Sequence, residues 1–176
     1  MPGNPAHALR EAPCSVIAWS PPVTTAALTF DNLKDFVGQP IGTSAWVPVP
    51  QSRIDAFADC TEDRQWIHID VERATRESPF GAPVAHGFLT LSLLPITTYE
   101  VFAGLKAKKS VNYGMDKLRF IAPVRAGARV RNHIKLLSAE ARADGFVLIR
   151  TENTVEIEGE DKPALVAVSL GLFSPT

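Results

Sequence analysis

Only two cysteines, Cys14 and Cys60, occur in 176 residues. They lie far apart and in no C-x-x-C pair, which excludes a disulfide framework and a zinc ribbon and makes a reducing cytoplasm the expected location. An excess of one charge is also missing: eighteen Lys and Arg against nineteen Asp and Glu leave a formal net charge of -1. The only cluster of like charge is the short Lys106, Lys108, Lys109 group, so neither a nucleic-acid partner nor a membrane surface is called for. The first residues hold Pro2, Pro5, Pro13, Pro21 and Pro22 and no uninterrupted apolar stretch behind a basic start, a pattern that fits neither a signal peptide nor a membrane-spanning helix. There is no Gly-rich phosphate loop, no G-x-S-x-G nucleophile elbow, no internal repeat and no low-complexity tract.

What is present is the balance of an ordinary globular chain, 45% hydrophobic and 21% charged, with enough apolar residues for one core. Residues 1–28 read as an irregular extension, in which Val16, Ile17 and Trp19 offer a means of docking, and residues 29–176 read as the folded domain. Four segments of the second half are rich in Val, Ile, Leu and Phe: Ser110 to Phe120, Arg129 to Ala139, Phe146 to Ile157 and Ala164 to Phe173. The turn signals between them predict an antiparallel sheet, because the connections are too short for crossover helices. Asp144-Gly145 predicts a hairpin with a type I′ turn. The near-continuous apolar run of the last segment predicts a central strand covered on both faces.

From Phe30 to about Val101 the chain reads as helical or irregular. Ile54 and Phe57 behind Pro50 and Ser52 fit a short amphipathic helix over Val49 to Ala58. Val84 to Phe102 is apolar on nearly every face and predicts a buried helix roughly 28 Å long, bent by Pro95. A long apolar helix followed by antiparallel strands is an α+β arrangement.

Between the two helical segments, Asp63, His68 and Trp66 are crowded together. In one continuous helix Asp63 and His68 would lie about 140° apart, so a shared site requires a loop. A carboxylate and an imidazole in one pocket can hold a water and move its proton. The same residues also fit a turn-capping Asp63 and a His68 packed on Trp66. Further on, His86 and Gly87 open the apolar helix, where first-turn N–H groups can hold a developing negative charge. Gly87 reads equally as a small residue at a tight packing point. His68, His86 and Asp63 match no zinc-ligand spacing, and no metal is expected. Ser92 falls inside the helix, where its hydroxyl is expected to bond back to the i-4 carbonyl.

Taken in order, an Asp-x4-His segment, Ala85-His86-Gly87 at the head of an apolar helix, and Phe120-x-x-Pro123-Val124 before a strand meander resemble the MaoC-like, R-specific enoyl-CoA hydratases of the hotdog superfamily. The family pattern is a small hydroxyl residue, Gly, Asp, any residue, Asn, Pro, an aliphatic residue and His. Here it runs Thr61-Glu62-Asp63-Arg64-Gln65-Trp66-Ile67-His68, with Glu62 for glycine, Gln65 for asparagine and Trp66 for proline. The Gln-Trp-Ile-His form with Asn112-Tyr113-Gly114 resembles a subgroup named after nodulation protein N.

The resemblance covers about residues 30 to 173. It implies a hotdog fold, with the sheet wrapped around the helix, and a homodimer. It further implies reversible hydration of trans-2-enoyl-CoA to (R)-3-hydroxyacyl-CoA, with Asp63 and His68 as the acid–base pair and Gly87 N–H binding the thioester oxygen. Gln65, Trp66 and His86 are the expected substrate contacts, Trp66 either walling or closing the acyl tunnel. Lys117, Arg119 and the Lys106 to Lys109 cluster are candidates for the CoA phosphates. No cofactor is implied, since CoA is part of the substrate. A hotdog thioesterase and a non-catalytic acyl-CoA binding protein are the alternatives.

Overall fold

The structure is a computed structural model that describes residues 28–175, so all but the last residue of the expected extension lies outside the described residues. That last residue, Leu28, is fully buried with Leu33, Ile41 and Ile134, so the folded domain already includes it.

Four long strands follow the helices: β3 (Lys109–Phe120), β4 (Arg129–Ala141), β5 (Val147–Ile157) and β6 (Leu165–Ser174). Two short strands precede them, β1 (Pro40–Thr43) and β2 (Val47–Pro48). The sheet runs β1-β4-β5-β6-β3, with β2 also paired to β4, and every pairing is antiparallel. The first half is therefore not purely helical or irregular. Pro40, Gly42 and Pro48 give β1 and β2 little strand propensity of their own, and the ladder of β4 imposes their conformation.

The β4–β5 hairpin forms, but its turn is not type I′. Gly145 N–H donates to Arg142 O at 3.2 Å and Arg142 N–H to Phe146 O at 2.8 Å, and of Asp144 and Gly145 only Gly145 has positive φ, at 80°. This is a three-residue loop in which the glycine alone takes the left-handed position. Strand β6 is central in the sheet, yet its burial is patchy, with half-buried residues such as Val166, Val168 and Leu172 among fully buried ones. Full cover is thus on one face only.

The helices are α1 (Gln51–Thr61), α2 (Trp66–Ile69), α3 (Val71–Glu77), α4 (Gly87–Ser92) and α5 (Leu94–Phe102). The expected single helix from Val84 starts at Gly87 and breaks at Leu93. Pro95 lies in the first turn of α5, where its missing N–H costs nothing, but there it cannot continue the ladder of α4. Leu89 and Leu94 pack with Val130, Val155, Ile157 and Leu165, while Val101 and Phe102 pack with Ile41, Leu136 and Ile149. The pair α4–α5 therefore lies along the inner face of the sheet. Beneath the break, the fully buried Asn132 donates from Nδ2 to Thr97 Oγ1 at 3.2 Å and to Asn153 Oδ1 at 2.9 Å. Among the described residues no helix is long and apolar enough to cross a membrane.

Candidate active site

Helix α1 ends because Glu62 turns left-handed, with φ 63°. The four residues that follow α1 carry Asp63 away from the helix before Trp66 opens α2. This loop brings Asp63 toward His68, which a continuous helix would hold about 140° away. Each of Asp63, His68 and His86 offers one ligand-type atom to a cluster whose members lie within 4.8 Å of one another.

His68 is 7% exposed, and its Nδ1 lies 2.6 Å from Val84 O. A carbonyl only accepts, so Nδ1 carries the proton and the neutral ring presents Nε2 as a base. Burial is the largest influence on His68 and pulls its pKa below the ordinary 6.5. The bond to Val84 opposes that pull, the neighbouring His86 adds to it, and the charge of Asp63 opposes it. Val84 is itself fixed, since its N–H donates to Ile67 O at 3.1 Å and it bridges to Arg125.

His86 is 3% exposed and stacks on His68 with ring centroids 3.7 Å apart and planes 26° apart. Its Nε2–H donates to Asp63 backbone O at 2.9 Å, while the Asp63 carboxylate lies 4.0 Å away, beyond hydrogen-bond range. His86 thus holds the main chain of the loop, leaving the Asp63 carboxylate exposed and free to meet a ligand. Its Nδ1 is buried without a partner. The stacking also bears on metal binding, since two nearly parallel rings this close cannot both direct in-plane lone pairs at one ion at about 2.1 Å.

Gly87 is the first residue of α4, ahead of the first intrahelical bond from Thr90 N–H to His86 O at 3.2 Å, so its N–H is a first-turn donor. A Cβ on Gly87 would stand 3.0 Å from the Phe120 ring, which explains the absence of a side chain. Gln65 is exposed at the head of α2. Trp66 is half-buried beneath the Arg73 guanidinium, 4.3 Å from its ring centroid. Neither residue lines the cavity of about 380 Å³ between α4–α5 and strands β3, β5 and β6. Ser92 donates to Phe88 O at 2.7 Å, as its position in the helix predicts.

Residues 32–158 match the family described as MaoC like domain. The chain belongs to this MaoC-like family. It is 41% identical to nodulation protein N of Rhizobium meliloti (strain 1021) over 151 residues, covering 84% of this chain and 94% of that protein. It is 43% identical to 3-hydroxyacyl-thioester dehydratase Z of Mycobacterium tuberculosis (strain ATCC 25618 / H37Rv), covering 81% and 95%. Among solved structures, the (R)-hydratase from A. caviae involved in PHA biosynthesis superposes with a TM-score of 0.62 at 24% identity, covering 77% of this chain and 94% of that one. The fold is the α+β hotdog.

Within this MaoC-like domain, two of the departures from the family pattern fall on backbone positions. Glu62 stands in the left-handed conformation that glycine adopts freely. Trp66 stands at the first helical position, which suits proline. Two contributors are not legible as site residues from residue types alone: the Val84 carbonyl, because a backbone acceptor has no residue type, and Phe57, whose ring lies 5.0 Å from His86.

Proposed function

We propose that this MaoC-like domain catalyses the reversible hydration of trans-2-enoyl-CoA thioesters to (R)-3-hydroxyacyl-CoA, with Asp63 and His68 as the acid–base pair. One observation carries the reading: His68, its Nδ1–H spent on Val84, offers a neutral Nε2 beside the Asp63 carboxylate. The curated relatives named for dehydration of 3-hydroxyacyl thioesters support the substrate class.

In this mechanism Asp63 and His68 Nε2 hold one water. Its oxygen bonds to C3 as Nε2 takes its proton, and the C2–C3 π electrons pass to the thioester oxygen, which Gly87 N–H stabilises. Asp63 steadies the imidazolium. The same proton then passes from Nε2 to C2 as the enolate collapses, so hydration consumes only water and needs no metal or redox cofactor. Exposed Lys106, Lys108 and Lys109, with Lys117 and Arg119 on β3, are the cations offered to the CoA phosphates.

A second copy of the chain completes this reading. Strand β3 forms an edge of the sheet, and near it Phe88, Tyr99, Val111, Tyr113 and Phe120 are exposed, an apolar face that a homodimer would bury. The test of the activity is loss of the conjugated thioester absorbance of crotonyl-CoA and longer enoyl-CoAs. Release of free thiol from saturated acyl-CoA would instead identify a thioesterase.

A further inference from the structure

The cavity beside α4–α5 is apolar along most of its wall. Ser110 and Asn112 on β3 reach it from exposed positions, whereas Thr151 and Ser169 stand in front of buried amides that set the direction of their hydroxyls. Thr97 donates its hydroxyl to Leu94 O at 2.9 Å and therefore accepts from Asn132 Nδ2. Asn132 Nδ2 also donates to Asn153 Oδ1, which turns the Asn153 amide nitrogen toward Thr151 and Ser169. Asn153 Nδ2 lies 3.1 Å from each of Thr151 Oγ1, Ser169 Oγ and Thr151 O. An amide nitrogen only donates, so both hydroxyls accept there and keep their own protons. Thr151 and Ser169 lie opposite each other on β5 and β6, and both line the cavity.

Of the helix-side hydroxyls of the same cavity, Ser92 is spent on Phe88 O and Thr98 on Leu94 O, each at 2.7 Å, and Tyr99 is largely exposed, on the face that a second copy of the chain would bury. Among the described residues no Lys or Arg lines it, so an anionic group would find no counter-charge there. Asp63, His68, His86 and Gly87 lie outside the cavity wall, and from Gly87 to Leu91, the first residue of α4 that lines it, the helix rises roughly 6 Å, so a chain held at Gly87 by its thioester would extend past Leu91 to reach the hydroxyl pair.

We infer that this cavity selects an acyl chain carrying a neutral acceptor oxygen, a ketone or a hydroxyl, remote from the thioester, with Thr151 and Ser169 as its donors. The inference rests on the acyl-CoA reading above. A site with unspent buried donors discriminates against the analogue that lacks the oxygen.

The test is calorimetric titration with saturated acyl-CoAs of one chain length, unsubstituted or bearing a single keto or hydroxyl group at successive positions. At least one oxygenated isomer binds about tenfold more tightly than the plain chain, the scale of one good hydrogen bond. Thr151→Val and Ser169→Ala each reduce that preference to about twofold or less. Asn153 retains an acceptor in either variant, so an unchanged Tm is expected. The inference is overturned if every oxygenated chain binds no better than the plain one, or if the preference survives the double substitution. Oxygen-selective binding without turnover of any enoyl-CoA would uphold the inference and remove the hydratase reading, whereas turnover of plain chains with no oxygen preference does the reverse. Failure of every acyl-CoA to bind removes both.

Discussion

Asp63→Asn separates chemistry from folding unusually well. The Asp63 side chain is 56% exposed, and its closest cation-type neighbour, His86 Nε2, lies 4.0 Å from the carboxylate while bonding the backbone oxygen instead. The loop is thus held by the main chain, and the substitution should change stability by no more than about 0.5 kcal/mol, as for surface positions. For a domain of this size that corresponds to a Tm shift of about 2 °C or less. Loss of the carboxylate that holds the water and steadies the His68 imidazolium costs on the order of 10²- to 10⁴-fold, the scale of a positioned acid–base partner, or roughly 2.7 to 5.4 kcal/mol of transition-state stabilisation. A second signature follows from His68. The Asp63 charge raises the His68 pKa against the effect of burial, so removing it should move the acid limb of kcat/KM to lower pH. The assay is hydration of crotonyl-CoA across pH 5 to 8, alongside a thermal melt. Activity within about threefold of the parent, or an acid limb shifted to higher pH, would refute the role given to Asp63.

His86→Leu, which keeps bulk but loses the donor to Asp63 O, is expected to lower kcat about tenfold with little change in KM, and His86→Gln to restore part of it; equal activity in the two variants would show that the bond does not position the loop. Gly87→Val should press on Phe120 and cover the first-turn N–H, reducing kcat/KM by about 10²-fold, measured against an unchanged far-UV spectrum. Stability should fall as pH drops below about 6.5. Burial first of all lowers the pKa of both His68 and His133, so the unfolded chain takes up protons in that range that the folded one refuses. The glutamates of lowered pKa, Glu156 among them, lose their contribution only as pH falls through and below about 4.5. The denaturation midpoint should therefore be lower at pH 5.5 than at pH 7.5, and a flat or rising midpoint would contradict this.

The long strands were legible because their apolar runs and turn residues are local signals, and β3 to β6 lie within two residues of the expected spans. Strands β1 and β2 were not, since their conformation comes from pairing with β4. Pro95 announced an interruption of the helix, though the break falls two residues earlier, at Leu93. Asp63, His68 and His86 were each visible as residues, but their convergence depends on a left-handed Glu62 that glycine would have signalled more clearly. The hydroxyl pair of the cavity was invisible in sequence, because Thr151 and Ser169 become neighbours only through the β5–β6 register.

The central claim is that Nε2 of a neutral His68, beside Asp63, activates water against an enoyl thioester. Its most direct test is single-turnover hydration of crotonyl-CoA in deuterium oxide by the parent chain and His68→Gln. The account predicts loss of the conjugated thioester absorbance and a single deuterium at C2 for the parent, with a rate lower by at least about 10²-fold in the variant. Undiminished hydration by His68→Gln, or no hydration of any enoyl-CoA by a parent that binds it, would contradict the account.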